Sequence, residues 1–329
     1  MRYVEAAGVR LSAIGLGTWQ FGSKEWGYGA RYAEKDAGDI LVRALELGVN
    51  LIDTAEIYAM GQSERIVGRA LAGRRDAAFV ATKVLPVAPF GAVIVHRGRA
   101  SRARLGIDAI DLYQLHWPNP VVPMSQQMDG MRRLLDEGVI RHVGVSNYSL
   151  HRWQGAERAL GKPVVSNQVQ YSLVARGPDR DLVPWAPSHD RVVMAYSPLG
   201  QGLLSARYDE TNAPSGVRAG NALFLPANLR AAAPLLTALR EVGAAHDATP
   251  AQVALAWVIR HSNVVAIPGA SSVSQLEQNV AAADLELSDD EQQRLTAASD
   301  AFHPVHGAAA LPQLIRRRLH IGADRGASA

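Results

Sequence analysis

The sequence predicts an α/β chain folded as a closed (β/α)8 barrel of the TIM type. Three observations carry that expectation: eight short apolar runs rich in β-branched residues recur along 329 residues, helical patterns lie between most of them, and the runs lack the polar face of a half-solvated sheet. Strands buried on both faces, each followed by a helix, require a parallel sheet covered on both sides, and eight such units favour closure. A doubly wound sheet is the rival architecture. It calls for a G-x-G-x-x-G turn after an early strand, and Gly15 to Gly17 stops short of that pattern. At roughly 150 residues per domain the length admits two domains, but barrels of this size form one. Residues 1–329 therefore read as one barrel domain, with 304–329 a C-terminal tail.

In chain order, residues 2–12 with a turn near Ala7 and Gly8 read as an N-terminal β-hairpin that plugs the barrel floor. The barrel strands are expected at Ile14 to Leu16, Val49 to Ile52, Ala78 to Val84, Ile110 to Leu115, Ile140 to Val145, Val164 to Val169, Val192 to Tyr196 and Val264 to Ile267. Between the first two, Ile40, Leu41, Ala44, Leu45 and Leu47 share a helix face, and Gly48 stands where a C-cap is expected. Thr249 followed by Pro250 reads as an N-cap with proline in the first helical position, with Val253, Ala254, Trp257 and Val258 inward. Ser288 with Glu291 forms a capping box for an extra helix near the C-terminus. Residues 20–36 and 200–227, after the first and seventh strands, are long loops, a length usually reserved for function or disorder. The basic cluster Arg316 to Arg318 reads as a solvated helix end.

Composition excludes several classes of function. With 34 Lys+Arg against 31 Asp+Glu the net charge is +3, too weakly basic to point to nucleic acid. The absence of cysteine removes disulfides, thiolate metal sites and cysteine nucleophiles. The ten histidines form no H-E-x-x-H pair, so no metal is expected. The N-terminus lacks the apolar stretch of a signal peptide, and no continuously apolar run approaches the roughly 18 residues of a membrane span. A cytoplasmic protein that is monomeric by default, with no membrane or nucleic-acid partner, is the expectation.

Reactive groups of such a barrel lie at the carboxyl ends of its strands. There the sequence places Asp53 after the second run, Tyr58 in the next loop, Lys83 at the end of the third and His116 at the end of the fourth. Each alone has an ordinary explanation as a turn cap, a snorkelling lysine, a rim histidine or a packing aromatic. Together they make a coherent acid–base set. A tyrosine hydroxyl titrates near 10, too high for rapid proton exchange at neutral pH, and a lysine ammonium beside it is expected to lower that value. The aspartate would keep the lysine charged, and the histidine would orient a carbonyl oxygen or shuttle a proton. With no cysteine and no G-x-S-x-G elbow, a cofactor hydride is the more plausible attacking species.

The segments GLGTW (15–19), DTAEIY (53–58), TK (82–83), HWP (116–118), GVSN (144–147), NQVQYS (167–172), YSPLGQGLL (196–204) and IPGASS (267–272) fall in the order and spacing of the aldo-keto reductases. The chain resembles that family from about Leu11 to Leu287. The resemblance implies a barrel that reduces an aldehyde or ketone with NAD(P)H, using a tetrad of Asp53, Tyr58, Lys83 and His116 in which Tyr58 is the general acid. It further implies that Gly17, Thr18 and Trp19 line the nicotinamide and substrate pocket, that Ser146, Asn147 and Gln168 hold the carboxamide, and that Tyr196 stacks on the ring. Ser197, Leu199 and Gln201 would follow the pyrophosphate, and the 199–227 loop would fold over the dinucleotide. Trp19 and Trp117 are expected to line the substrate pocket with Tyr58 and His116, whereas Trp153 and Trp257 read as core. At the adenosine end many relatives carry Lys or Arg; here stand Gly269, Ala270, Ser271, Ser272, Gln275, Gln278 and Asn279, with Arg207 or Arg218 as substitutes from the long loop. NADPH is the expected cofactor and NADH the alternative. Two other functions compete: a dinucleotide-binding regulatory subunit without catalysis, and a Schiff-base lyase using Lys83.

Overall fold

The computed structural model describes residues 1–30 and 32–311; the Arg316 to Arg318 cluster lies outside the described residues. The chain gathers into two compact units. The first comprises Met1–Tyr171, Arg176–Pro198 and Val258–Asp284, and the second Ser172–Ala175, Leu199–Trp257 and the described residues from Leu285 onward.

The first unit opens with a hairpin, β1 (Tyr3–Ala6) and β2 (Val9–Ser12), paired antiparallel from Tyr3↔Ser12 to Ala6↔Val9. Ala7 and Gly8 take φ of 52° and 75°, the left-handed pair that a tight hairpin turn needs. Eight parallel strands follow: β3 (Leu16–Gly17), β4 (Leu51–Asp53), β5 (Phe79–Val84), β6 (Ile110–Leu115), β7 (Ile140–Ser146), β8 (Val164–Gln170), β9 (Val192–Tyr196) and β10 (Val264–Ala266), each bonded to the next in sequence. Bridges Ile14↔Ala266 and Gly17↔Gly269 join first to last and close the barrel. Val4, Val9 and Leu11 of the hairpin pack with Leu51, Ala81, Leu112, Val165, Met194 and Val265, so the hairpin seals the barrel floor.

Helices α1 (Glu34–Glu46), α2 (Gln62–Ala70), α3 (Gly91–Leu105), α4 (Met124–Asp136), α5 (Leu150–Leu160) and α6 (Leu182–Ser188) alternate with the strands. Helix α1 buries Ile40, Leu41 and Ala44 and ends as Gly48 turns to φ 82°. Val49 then donates its N–H back to the Ala44 carbonyl at 2.9 Å. This apolar residue therefore finishes the helix, and the strand begins two residues later than the hydrophobic run suggests. The run at the eighth strand likewise ends one residue early, at Ala266.

In the second unit three short 3₁₀ turns, Gly200–Ser205, Gly216–Gly220 and Ala222–Phe224, lead into α7 (Pro226–Ala245). Helix α8 (Pro250–Val258) starts at a reciprocal cap, in which Thr249 Oγ1 accepts from the Gln252 N–H and Gln252 Oε1 accepts from the Thr249 N–H. The first unit resumes through β10 and α9 (Val273–Ala281), and the second through α10 (Asp289–Asp300), whose Ser288–Glu291 capping box is formed. Trp153 and Trp257 are fully buried core residues. Among the described residues no helix is long and apolar enough to cross a membrane.

The helical layer of the first unit packs at van der Waals limits. A Cβ added at Gly68 of α2 would stand 2.2 Å from the Leu105 carbonyl oxygen at the end of α3. Gly68→Ala is therefore expected to cost about 1–3 kcal/mol, the usual price of overpacking. Urea unfolding of the two proteins checks it.

Candidate active site

The catalytic set predicted from sequence converges at the carboxyl ends of β4, β5 and β6. Lys83 is 0% exposed and Asp53 2%. The Lys83 ammonium donates to Asp53 Oδ2 at 2.8 Å, to the Thr54 carbonyl at 2.8 Å and to Tyr58 Oη at 3.1 Å. An ammonium has three protons, and each has an acceptor here. The other carboxylate oxygen of Asp53 accepts from Gln168 Nε2 at 2.7 Å.

Tyr58 reaches this point through an uncommon backbone path. Ala59, Met60 and Gly61 follow it with φ of 47°, 55° and 82° before α2 begins. Two of the three are not glycine, so the surroundings must hold them there. The Tyr58 ring meets the His116 ring edge-on at 5.9 Å, and the Trp19 ring lies 6.5 Å from it. Trp117 stacks on His116 at 3.8 Å, and Trp26, in the glycine-rich loop, lies 5.2 Å from Trp19.

Electrostatics correct one expectation. Burial pushes the Tyr58 phenol above its ordinary value and outweighs the nearby Lys83, which pulls it down. The lysine offsets the cost of burial without reversing it, so the phenol stays protonated at neutral pH. Burial disfavours the charged Lys83, but Asp53 and Tyr58 more than compensate and hold its pKa above the usual lysine value. Burial raises Asp53 against the pull of Lys83 and Gln168. Burial first, and Lys83 second, lower His116 to about 3, so its imidazole is neutral.

Around the barrel mouth the residues assigned to the carboxamide form one network. Ser146 Oγ donates to the Gln168 carbonyl at 2.8 Å, Asn147 Nδ2 donates to the His116 carbonyl at 3.1 Å, and Tyr196 Oη donates to Asn147 Oδ1 at 2.9 Å. Asn147 and Ser197 occupy left-handed backbone positions at the ends of β7 and β9. Gly17 cannot carry a side chain, since its Cβ would lie 2.7 Å from the Ile267 carbonyl oxygen. Thr18 Oγ1 donates to the Asp53 carbonyl at 2.9 Å. At the start of α9, Gln20 Nε2 donates to the Ala270 carbonyl, Ser271 donates to Gln275 Oε1, and Asn279 Nδ2 donates to the Gly269 carbonyl; Gln278 is exposed. Leu199, Gln201, Arg207 and Arg218 belong to the second unit, where Arg218 Nε donates to the Gln201 carbonyl at 2.8 Å.

Sequence reasoning passed over a buried polar layer behind the tetrad. Ser63 and Glu64, both 0% exposed, sit in the first turn of α2. Their signal was positional: Ser63 precedes Ile66 by three residues and Val67 by four, and Glu64 precedes Val67 by three, spacings that share the buried helix face. Among the described residues no cluster of His, Asp or Glu is arranged to hold a metal.

The sequence profile of the aldo/keto reductase family matches residues 13–300. An uncharacterised oxidoreductase of Mycobacterium tuberculosis is 57% identical over 320 residues, covering 97% of this chain and 99% of its own. A methylglyoxal reductase of Escherichia coli is 37% identical over 281 residues, covering 85% and 88%. Among solved structures, an aldo/keto reductase from Klebsiella pneumoniae in complex with NADP and acetate superposes with a TM-score of 0.72 at 33% identity, covering 89% of this chain and 93% of its own.

The lowered His116 pKa gives a signed prediction. Unfolded, the imidazole takes a proton near pH 6.5; folded, it resists until about 3. Between those values the unfolded state binds more protons, so stability falls as pH falls, by at most about 1.4 kcal/mol per pH unit. His116→Asn should flatten that acid limb, as measured by denaturant titrations from pH 7 to pH 4.

Proposed function

Because the chain belongs to the aldo/keto reductase family, we propose that it reduces aldehydes or ketones to alcohols with NADPH, Tyr58 supplying the proton. The observation that carries this reading is the Lys83 ammonium, saturated by Asp53, Thr54 and the Tyr58 hydroxyl.

When bound, the reduced nicotinamide supplies the hydride accepted by the carbonyl carbon. Negative charge then develops on the carbonyl oxygen, and Tyr58 Oη gives it a proton. The phenol, whose ordinary value already lies well above neutral pH and which burial raises further, is protonated beforehand, and the phenolate left behind lies beside Lys83. Burial makes the phenolate harder to form, and the ammonium offsets part of that cost. Asp53 keeps Lys83 charged and in place. His116, neutral and edge-on to Tyr58, offers a second hydrogen-bond donor to the developing oxyanion without adding a charge.

The donor set at the mouth fits a carboxamide-bearing ring. Ser146, Asn147 and Gln168 present hydroxyl and amide groups, and the half-buried Tyr196 ring offers a flat apolar face. At the adenosine end Ser271, Ser272 and Gln275 provide neutral donors at the start of α9, a place where the helix dipole favours phosphate. Trp19 and Trp117, 48% and 42% exposed, and the exposed Val87, Phe90 and Val121 lie in loops after β3, β5 and β6. Residues 85–90 and 117–123 carry no charge. A neutral carbonyl compound with an apolar body suits such a rim.

The Schiff-base alternative finds no support in this geometry. It needs a neutral amine with a free lone pair, whereas Lys83 is held protonated with every N–H engaged. A screen of neutral and anionic aldehydes and ketones with both reduced dinucleotides tests the proposal. Turnover of neutral carbonyls with the higher kcat/KM for NADPH is expected. Dinucleotide binding without turnover would favour the regulatory role, and a tenfold advantage for NADH would overturn the cofactor choice.

A further inference from the structure

The first turn of α2 touches Thr18 and the chain neighbours of Asp53 and Lys83, and it does so with two side chains. Ser63 Oγ lies 2.8 Å from Thr18 Oγ1 and 2.9 Å from Thr54 Oγ1, and it donates to the Thr18 carbonyl at 2.9 Å. Thr18 precedes Trp19 at the end of β3, and Thr54 follows Asp53 at the end of β4. Glu64 turns to the next strand. Its Oε1 accepts from Thr82 Oγ1 at 2.7 Å, and its Oε2 accepts from Arg104 Nε of α3 at 2.5 Å. Thr82 and Lys83 are successive residues of β5, so their side chains leave opposite faces of the strand. The outward Thr82–Glu64 bond therefore fixes the height and twist of the backbone from which Lys83 reaches inward. Tyr58 is tied to the same turn through the left-handed run Ala59–Gly61.

We infer that Ser63 and Glu64 are positioning residues that clamp the strand ends next to Trp19, Asp53 and Lys83 to the helix α2 that directly follows the Tyr58 turn. The clamp makes the Lys83–Tyr58 contact a property of helix α2 as much as of the barrel. It works because none of its atoms reaches water: Ser63, Glu64, Thr18, Thr54 and Thr82 are all 0% exposed, so a lost partner cannot be replaced by solvent. None of these groups touches the reacting atoms. Their effect passes through Tyr58 and Lys83, and a shift of even a fraction of an ångström there misaligns the proton donor.

The inference rests on the reductase reading, and the test separates the two. Thr82→Val removes the hydroxyl and leaves the Glu64–Arg104 pair in place; Thr82→Ser restores the donor; Ser63→Ala probes the other half of the clamp. In folded Thr82→Val and Ser63→Ala, kcat is expected to fall about 10- to 100-fold while the NADPH Kd changes less than about threefold, and Thr82→Ser should recover most of the loss. The alkaline titration of the Tyr58 phenol, read as the tyrosinate absorbance missing from Tyr58→Phe, should move up in Thr82→Val as Lys83 loses its fixed approach, and this readout needs no turnover. Unchanged kcat and unchanged phenol titration in both folded variants would overturn the clamp, as would a Thr82→Ser enzyme as impaired as Thr82→Val. A wild-type protein that reduces no carbonyl, with the titration shift still seen in Thr82→Val, would overturn the reductase reading and leave the clamp standing.

Discussion

A lysine ammonium inside a protein is costly unless each of its protons is received, and in this molecule that requirement organises the barrel mouth. The acceptors of Lys83 come from the end of β4 and the loop beyond it: the Asp53 carboxylate, the Thr54 carbonyl and the Tyr58 hydroxyl. Loss of Thr54 or Tyr58 would leave a buried N–H without an acceptor, and loss of Asp53 a buried charge without its counter-ion. The register that sets Asp53 against Ala81 and Lys83 against Gln114 fixes the distances from which the lysine reaches them. Tyr58 is thus held in place by the solvation needs of its neighbour.

The same burial decides the acid–base chemistry. In water a lysine beside a phenol lowers its pKa, and the sequence invites that expectation for Tyr58. Depth changes the balance, because desolvation of the phenolate exceeds the benefit of the cation. The resulting group keeps its proton until a basic oxygen arrives, and Lys83 then offsets part of the cost of its buried conjugate base. His116 shows the complementary effect, since burial and Lys83 both keep it uncharged. A neutral donor there adds direction without competing with Tyr58 for the proton.

Much of this was legible in the chain. The β-branched runs and the capping signals at Thr249–Pro250 and Ser288–Glu291 correspond to observed elements because each reflects a local rule: period, cap or turn. Asp53, Lys83 and His116 stood out because each is a polar group ending an apolar run. Boundaries were less legible where one residue serves two elements, as Val49 does in closing α1. Ser63 and Glu64 were missed because a polar residue early in an amphipathic helix ordinarily meets solvent, which outweighed their spacing from Ile66 and Val67 on the buried face. The direction of the Tyr58 shift was hidden for a related reason, since it depends on depth of burial.

The most direct measurement is single-turnover hydride transfer from NADPH to a neutral aldehyde by Tyr58→Phe, with dinucleotide affinity determined alongside. Loss of the phenolic proton should slow transfer by about 10²–10⁴-fold and leave NADPH binding nearly unchanged. Transfer at the wild-type rate would contradict the assignment of Tyr58 as the proton donor.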